Sequence, residues 1–473
     1  MPSEWTILLV SLSSILLLLA GIAFALDAIM TGRTPQGTIA WVVALIFLPP
    51  ISIPLYLFFG SRRFVGYVRS RRRGRLEINA LGIEAMEKIQ PWAINPEQTR
   101  NLLLESFGAL PPTFGNGFTL LIDGAATFEA IFQAIAQAQS YIFLQFFIIR
   151  DDDLGKQLES ALLDARSRGV RIHVLFDEVG STDLSRWSRS LCDAGIEVRA
   201  FRRSRAPRNR YRLNFRNHRK IVVVDGSIAF IGGLNIGNEY LGKDPRQSPW
   251  RDTHLRCHGP VVQSIQLAFC EDWYWASKRI PKAMWLPCPH PDNTPALVIA
   301  SGPIDELETA TLAFLSLITN AKQRIWISTP YFAPEESICY ALQLAALRGI
   351  DVRILVPART DNFLINFAHD TYFDDLLIAG VKVFSYAPGF VHQKVVLADN
   401  AATIGSANLD NRSLRINFEI TLVAACDAFA QQVAEMLEND FAHSTQRTRA
   451  EISRRKWYIN LRSRAARLLS PLL

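Results

Sequence analysis

The sequence has no pair of cysteines at CxxC spacing: Cys192, Cys257, Cys270, Cys288, Cys339 and Cys426 are scattered singly along 473 residues. That argues against a zinc knuckle and a dithiol redox site, and leaves reduced, mostly buried thiols as the expectation. The one close Cys/His pair, Cys288-Pro289-His290, sits among Pro287, Pro289 and Pro291 and reads as a turn. No metal and no cofactor is expected. Charge is missing from two stretches. Trp5 to Leu26 carries none over 22 residues, and at ~1.5 Å per residue such a helix covers the ~30 Å hydrocarbon core of a bilayer. Thr38 to Gly60 carries none either, although Pro49, Pro50 and Pro54 must kink that run or make it partly re-entrant. The segment before the first run, Met-Pro-Ser-Glu, lacks a basic residue, so a membrane-spanning hairpin is expected and a cleaved signal peptide is not.

What the runs lack, their flanks supply. Between them the only Lys or Arg is Arg33, whereas Arg62, Arg63, Arg69, Arg71, Arg72, Arg73 and Arg75 follow the second. The positive-inside rule puts that side, with the rest of the chain, in the cytoplasm, as expected of a multi-pass membrane protein. The same cluster attracts anionic lipid, by ~1 kcal/mol per residue near the surface. The formal charge of +7 favours anionic partners in general. Hydrophobic residues make up 49% of the chain, enough for real cores and too many for a disordered one.

Past residue 110 the chain repeats itself. Tyr141-Ile-Phe-Leu-Gln-Phe-Phe-Ile, a helical pattern and Gly169-Val-Arg-Ile-His-Val-Leu-Phe-Asp are matched by Ile325-Trp-Ile-Ser-Thr-Pro-Tyr-Phe, a helical pattern and Gly349-Ile-Asp-Val-Arg-Ile-Leu-Val-Pro. A second helix leads in each half to Ala-Gly-Ile-Glu-Val or Ala-Gly-Val-Lys-Val, and an apolar strand follows a histidine. Strands alternating with helices predict an α/β fold with mostly parallel sheets, covered on both faces. The expected boundaries are 1–60 for the hairpin, 61–110 for a basic linker, 111–290 for the first half and 291–473 for the second.

Each half carries His-x-Lys-x4-Asp: His218, Lys220 and Asp225 in one, His392, Lys394 and Asp399 in the other. Residues two apart on an extended strand share a face, so imidazole and ammonium can converge on one group. Two lysines can stabilise the extra negative charge of five-coordinate phosphorus without a metal. One neutral histidine can attack while the other, protonated, serves the leaving alcohol and later deprotonates the incoming one. Gly232-Gly233-Leu-Asn235 and Gly405-Ser406-Ala-Asn408 follow, small residues that allow close backbone approach and amides that can bond phosphate oxygens. Glu239 and Glu419 offer one carboxylate per half to hold an imidazole, or else are ordinary paired glutamates. Asp225 and Asp399, at the far end of the strand step, read as turn or scaffold residues more than proton carriers.

Paired motifs of this kind, with Gly-Gly/Asn and Gly-Ser/Asn after them, resemble the phospholipase D superfamily. The hydrophobic runs, Ile148-Ile-Arg-Asp-Asp-Asp, Trp250-Arg-Asp-Thr-His-Leu-Arg and Asn235-Ile-Gly-Asn-Glu-Tyr look like bacterial cardiolipin synthases. The resemblance covers essentially the whole chain. It implies duplicated phospholipase D-like domains with one shared active site, preceded by two transmembrane helices. It implies anionic phospholipid substrates, chiefly phosphatidylglycerol, a phosphatidyl-histidine intermediate with glycerol leaving, His218 as nucleophile and His392 as acid/base. A phospholipase D or a phosphatidyltransferase with another acceptor would use the same intermediate. A nuclease of the same superfamily is the third reading, since Arg199 to Arg219 holds nine arginines with Tyr211 and Phe215 among them; in a membrane-tethered chain lipid is the nearer ligand, and nucleic acid is not expected. The C-terminus, where Arg447, Arg449, Arg454, Arg455, Lys456, Arg462, Arg464 and Arg467 alternate with Ile452, Trp457, Ile459, Leu461, Leu468 and Leu469, is expected either to lie on the membrane or to form an ordinary packed helix.

Overall fold

The computed structural model describes residues 4–32, 35–60, 75–95, 107–201, 216–360, 363–453 and 457–468. Arg33, the arginines from Arg62 to Arg73 and most of the arginine run before His218 lie outside the described residues. The chain divides into two compact units, an N-terminal helical one and a large α/β one.

In the N-terminal unit, α1 (Glu4–Thr31) exposes Leu and Ile on most of its sides, the mark of a helix that is apolar all round. It packs through Ala25 and Ala28 against Leu45 of α2 (Pro35–Phe47) and against Tyr56. Gly21 is needed at this contact, because a Cβ there would lie 2.3 Å from the Leu45 carbonyl oxygen. Tyr56 Oη donates to Asp27 Oδ2 at 2.8 Å. The prolines act where the sequence places them: α2 stops before Leu48, and α3 (Pro49–Leu55) starts afresh with Pro at its first positions, where a missing N–H costs nothing. Among the described residues one helix, over Leu8–Thr31, is long and apolar enough to cross a membrane.

In the large unit, α4 (Arg75–Ile89) precedes the first half. That half runs β1 (Thr113–Ile122), α5 (Asp123–Gln137), β2 (Tyr141–Phe146), α6 (Asp153–Ser167), β3 (Arg171–Asp177), α7 (Ser185–Asp193), β4 (Glu197–Phe201), β5 (Ile221–Val224), β6 (Ile228–Gly232), β7 (Trp250–Arg251), β8 (Thr253–His258) and α8 (Val261–Ser277). The second half repeats the order: β9 (Thr294–Ser301), α9 (Thr309–Asn320), β10 (Arg324–Ser328), β11 (Phe332–Ala333), α10 (Glu336–Leu347), β12 (Asp351–Pro357), α11 (Phe363–Ile378) and β13 (Lys382–Tyr386). Then come β14 (Phe390–Val391), β15 (Val395–Ala398), β16 (Ala401–Gly405), β17 (Leu409–Asp410), α12 (Asn411–Arg415), β18 (Glu419–Ala425), α13 (Asp427–Ala442), β19 (Ser444–Gln446), α14 (Arg449–Ser453) and α15 (Trp457–Leu468).

Both halves join in one 15-stranded sheet, ordered β19-β13-β12-β10-β15-β16-β18-β9-β1-β8-β6-β5-β2-β3-β4. The order is mirrored about the antiparallel β1–β9 contact, where Asn116, fully buried, donates from Nδ2 to the Thr113 and Thr294 carbonyls. The sheet corrects the expectation of mostly parallel pairing. Among the described residues, parallel neighbours within this sheet are confined to β2-β3-β4 and β10-β12-β13, where a helix separates successive strands. After each motif the chain turns back through a short hairpin, β5–β6 and β15–β16, and a hairpin can only pair antiparallel.

The motif aspartates hold those hairpins. Asp225 adopts φ 52° and its carboxylate accepts the backbone N–H groups of Gln139, Ser140 and Tyr141 at 2.7–2.8 Å. Asp399, also at φ 52°, accepts those of Lys322, Gln323 and Arg324 at 2.7–3.0 Å. A left-handed residue with a β-carbon costs ~1–2 kcal/mol, which three bonds from orphan N–H groups offset. The turn is thereby stitched to the start of β2 or β10, the central strand beside each motif.

Candidate active site

Each motif histidine arrives on a short segment paired with backbone of the opposite half. His218 N–H donates to the Phe418 carbonyl at 2.9 Å, and Phe418 N–H to that of Arg216 at 2.9 Å. In the pseudo-equivalent place β14 pairs with β7, and His392 N–H donates to the Arg251 carbonyl at 2.7 Å. The segment that holds each histidine also delivers a carboxylate to it. His218 Nδ1 lies 3.0 Å from Glu419 Oε2 and 3.2 Å from the Ser406 carbonyl. His392 Nδ1 lies 2.7 Å from Asp252 Oδ2. The pairs therefore cross, each imidazole of one half being held by an acid of the other.

Asp252 is the residue that reading the sequence for site chemistry missed, and Glu239 the one it misplaced. Glu239 sits in a short turn after Gly237 and bonds Arg150 Nε at 3.2 Å. Residues 242–249 then intervene before β7, and the carboxylate arrives only with Asp252. The available signal was positional: in both halves the acid stands where the strand after the Gly-x-x-Asn turn begins, Asp252 just before β8 and Glu419 opening β18. Gly233 and Ser406 are the matching small residues, donating their N–H groups to the Thr253 and Ile420 carbonyls. A Cβ on Gly233 would fall 2.1 Å from Asp252 Oδ1, so only glycine lets that acid in. Ser406 Oγ donates to Glu419 Oε2 at 2.5 Å. Asn235 serves local structure, accepting the Ile148 N–H and donating to Tyr240 Oη at 3.0 Å. Asn408 keeps a buried Oδ1 with no hydrogen-bond partner among the described residues.

The lysines lie deeper. Lys220 is fully buried, its Nζ donating to the His218 carbonyl at 2.7 Å and standing 5.7 Å from the Phe147 ring centre. Lys394 Nζ lies 2.9 and 3.0 Å from the two ring nitrogens of His392. The residue between histidine and lysine points the other way, into the seam. Arg219 pairs with Asp272 at 3.0 Å and donates to the Glu419 and Ser301 carbonyls, while Gln393 donates to Thr253 Oγ1 and Asp440. Arg251 adds a bidentate bond to Asp440 at 2.8 and 3.0 Å.

Burial sets the protonation. It pushes His218 down to about 4, with Lys220 and Lys394 adding to the fall and Glu419 opposing it. It pushes His392 down to about 3, with Lys394 and Lys220 adding and Asp252 opposing. Each histidine thus feels the lysine of the other motif, which places the two motifs in one electrostatic site. Burial also holds Lys220 well below its ordinary range. Burial alone would raise Asp252 and Glu419, but the facing cations and hydrogen bonds keep both below it. The arrangement can supply a neutral imidazole nucleophile, a second imidazole tuned by its own acid, and two ammonium groups for phosphate oxygens. Among the described residues no cluster of three or more His, Cys, Asp and Glu could hold a metal ion.

A family model described as cardiolipin synthase, PLD-like domain matches residues 131–248 and 314–441, and one described as phospholipase D-nuclease N-terminal matches 19–61. The chain is 47% identical over 470 residues to cardiolipin synthase A of Pseudomonas putida strain GB-1, covering 96% of each. The chain belongs to the cardiolipin synthase family of the phospholipase D superfamily. It is also 46% identical over 468 residues to cardiolipin synthase A of Pseudomonas entomophila strain L48, again over 96% of both. Among solved structures, the phosphatidylserine synthase of Haemophilus influenzae Rd KW20 shares the fold, with a TM-score of 0.59 at 14% identity over 80% of this chain and all of that one. Family membership and the apolar α1 agree in describing a membrane-associated enzyme of phospholipid synthesis.

Proposed function

We propose that the chain makes cardiolipin, transferring a phosphatidyl group from one phosphatidylglycerol to the headgroup hydroxyl of a second and releasing glycerol. The observation that carries this reading is the crossed pair of carboxylate-held histidines, each with a lysine two residues on. Glu419 occupies His218 Nδ1, which leaves Nε2 to attack phosphorus; the phosphorus–oxygen bond to glycerol breaks as the phosphorus–nitrogen bond forms. His392 gives its proton to the leaving glycerol oxygen, then takes one from the attacking hydroxyl as the phosphatidyl group returns to oxygen. A phosphodiester anion between the lysines offsets their charge and raises the His392 pKa, so the acid form becomes accessible when substrate binds. Lys220 and Lys394 stabilise the five-coordinate transition state. Asp252 and Glu419 favour the imidazolium each histidine passes through, as the buried acid does in other histidine-based sites. Ser406 and Gly233 admit those acids, Asn408 offers its amide oxygen as acceptor to a headgroup hydroxyl, and Asp225 and Asp399 hold the motif turns.

The substrate reading is lipid and not nucleic acid, supported by the apolar α1 and by the family. The single Arg33 between the hydrophobic runs, against seven arginines from Arg62 to Arg75, supports a multi-pass arrangement with the large unit in the bacterial cytoplasm. The test is purified full-length chain in detergent with phosphatidylglycerol as the sole lipid. Cardiolipin and glycerol in equal amounts are expected; phosphatidic acid without cardiolipin would overturn the acceptor assignment.

A further inference from the structure

The internal repeat provides its own control for what the fold requires on its surface. Helices α6 and α10 occupy the same place in the two halves, and residues 160–170 and 340–350 alternate between buried and exposed in the same order, position by position. The outward positions of α6 are Ser160, Asp164 and Ser167, as expected of a solvated helix face. The same positions of α10 are Tyr340, Leu344 and Leu347, exposed by 62%, 54% and 72%. The helices on either side follow suit: exposed Glu129 of α5 corresponds to Leu312 of α9, and exposed Asp193 of α7 to Ile378 of α11. Nothing in the packing asks for apolar residues there, since the first half builds the same layer without them.

Helix α15 extends this face. It lies on α11 and is held from beneath by small residues, Ser463 and Ala466, with the Arg467 guanidinium over the Tyr372 ring at 4.7 Å. Its bulky residues point away: Trp457 is 75% exposed, Leu461 60% and Leu468 82%. At about 100° per residue these three share one outer side with exposed Arg464 beside Trp457, while Arg462 lies nearer the packed side, its guanidinium 3.6 Å from the Phe367 ring centre. A helix that buries its small residues and shows its large ones is built to be covered by something else. The packing expected of the C-terminus is met by one side of this helix, and its other side is left exposed.

We propose that this helical face of the second half, α10 and α15 with the outer residues of α9 and α11, docks on an anionic membrane surface. Arg464 decides the occupant: an exposed guanidinium beside the apolar stripe suits lipid phosphates above residues seated at the headgroup boundary, as in interfacial helices. The choice of a membrane also rests on reading the chain as a lipid-modifying enzyme. The first half, with its polar equivalents, stays in water.

The test uses the full-length chain with Cys192, Cys288 and Cys426 replaced by serine, carrying Leu344→Cys, Leu461→Cys or, as the internal control, Asp164→Cys. Each is labelled with a polarity-sensitive fluorophore and reconstituted in vesicles of phosphatidylglycerol and phosphatidylcholine. Labels at 344 and 461 are expected to shift to the blue and to be quenched by bromine-substituted lipid, while the label at 164 remains as in water. Water-like emission at all three, or the same quenching at all three, would overturn the proposal. So would labels at 344 and 461 that are shielded yet untouched by brominated lipid, which would mark a protein contact such as a second copy. Cardiolipin formation is measured in the same vesicles: synthesis without lipid contact removes only the docking face, and lipid contact without synthesis removes only the functional reading.

Discussion

His218 and His392 hold the same position in two motifs of the same spacing, yet their surroundings differ in ways that suit different duties. His218 is the more open, its side chain 13% exposed against 9%, with the longer acid, Glu419, at 3.0 Å and the edge of Phe147 beside it. His392 is held by the shorter acid at 2.7 Å, lies beside the Trp250 and Phe390 rings, and has Lys394 against both ring nitrogens. An open imidazole with one nitrogen engaged suits attack on a bulky lipid phosphorus. An imidazole clamped between an acid and a cation suits a group whose proton affinity must respond to the charge that enters the site. Identical motifs therefore do not imply identical roles, because the acid each imidazole meets is supplied by the opposite half and the rings around it differ.

The largest effect expected in that comparison is from the histidines themselves. His218→Ala and His392→Ala should each cut transfer by roughly a thousand-fold or more, with the covalent lipid adduct seen by intact-protein mass lost in the first. Retention of the adduct in His218→Ala and its loss in His392→Ala would exchange their roles. Next come the crossed acids. Asp252→Asn and Glu419→Gln keep the shape but remove the charge that favours imidazolium, and a loss of about a hundred- to ten-thousand-fold in kcat is expected; normal turnover by Asp252→Asn would break the crossed arrangement. Gly233→Ala, which drives a methyl group into the Asp252 carboxylate, should lower kcat by about ten-fold or more through misplacement of His392.

A stability experiment sharpens the contrast further. Both histidines are neutral in the folded chain to well below their unfolded value of ~6.5, so the unfolded state binds more protons between that value and about 4 for His218 or about 3 for His392. The stability each contributes is fully present above ~6.5 and is lost as pH falls through that window. Thermal unfolding should shift to lower temperature between pH 6.5 and 4, less steeply in His392→Gln by up to ~1.4 kcal/mol per pH unit. The smallest effect belongs to Glu239→Gln, expected to change turnover less than about two-fold, since its partner is a half-exposed arginine.

Much of this site was legible in the chain because its reactive residues are local. His218 with Lys220 and His392 with Lys394 are set by strand geometry within three residues, and the repeat places them at matching positions. The acids are different. Glu419 could be guessed from its nearness to Asn417, but the same reasoning chose Glu239 over Asp252, because a loop present in one half and absent from the other moved the acid along the chain without moving it in space. The sheet direction failed for a related reason: the strand-helix-strand rule holds for β2-β3-β4, while β5 and β6 are joined by a turn too short for any crossover. Arg219 and Gln393 gave no sign in the sequence that they would carry the seam between halves, since their partners Asp272 and Asp440 lie tens of residues away.

The crossed pairing also sets an order of events during synthesis. When the first half emerges from the ribosome, His218 and Lys220 are already present, but the acid for that imidazole is residue 419 and has yet to be made. Until β18 docks, the nascent chain carries an imidazole that no acid yet holds. The geometry thereby makes a complete site conditional on both halves having been made and joined.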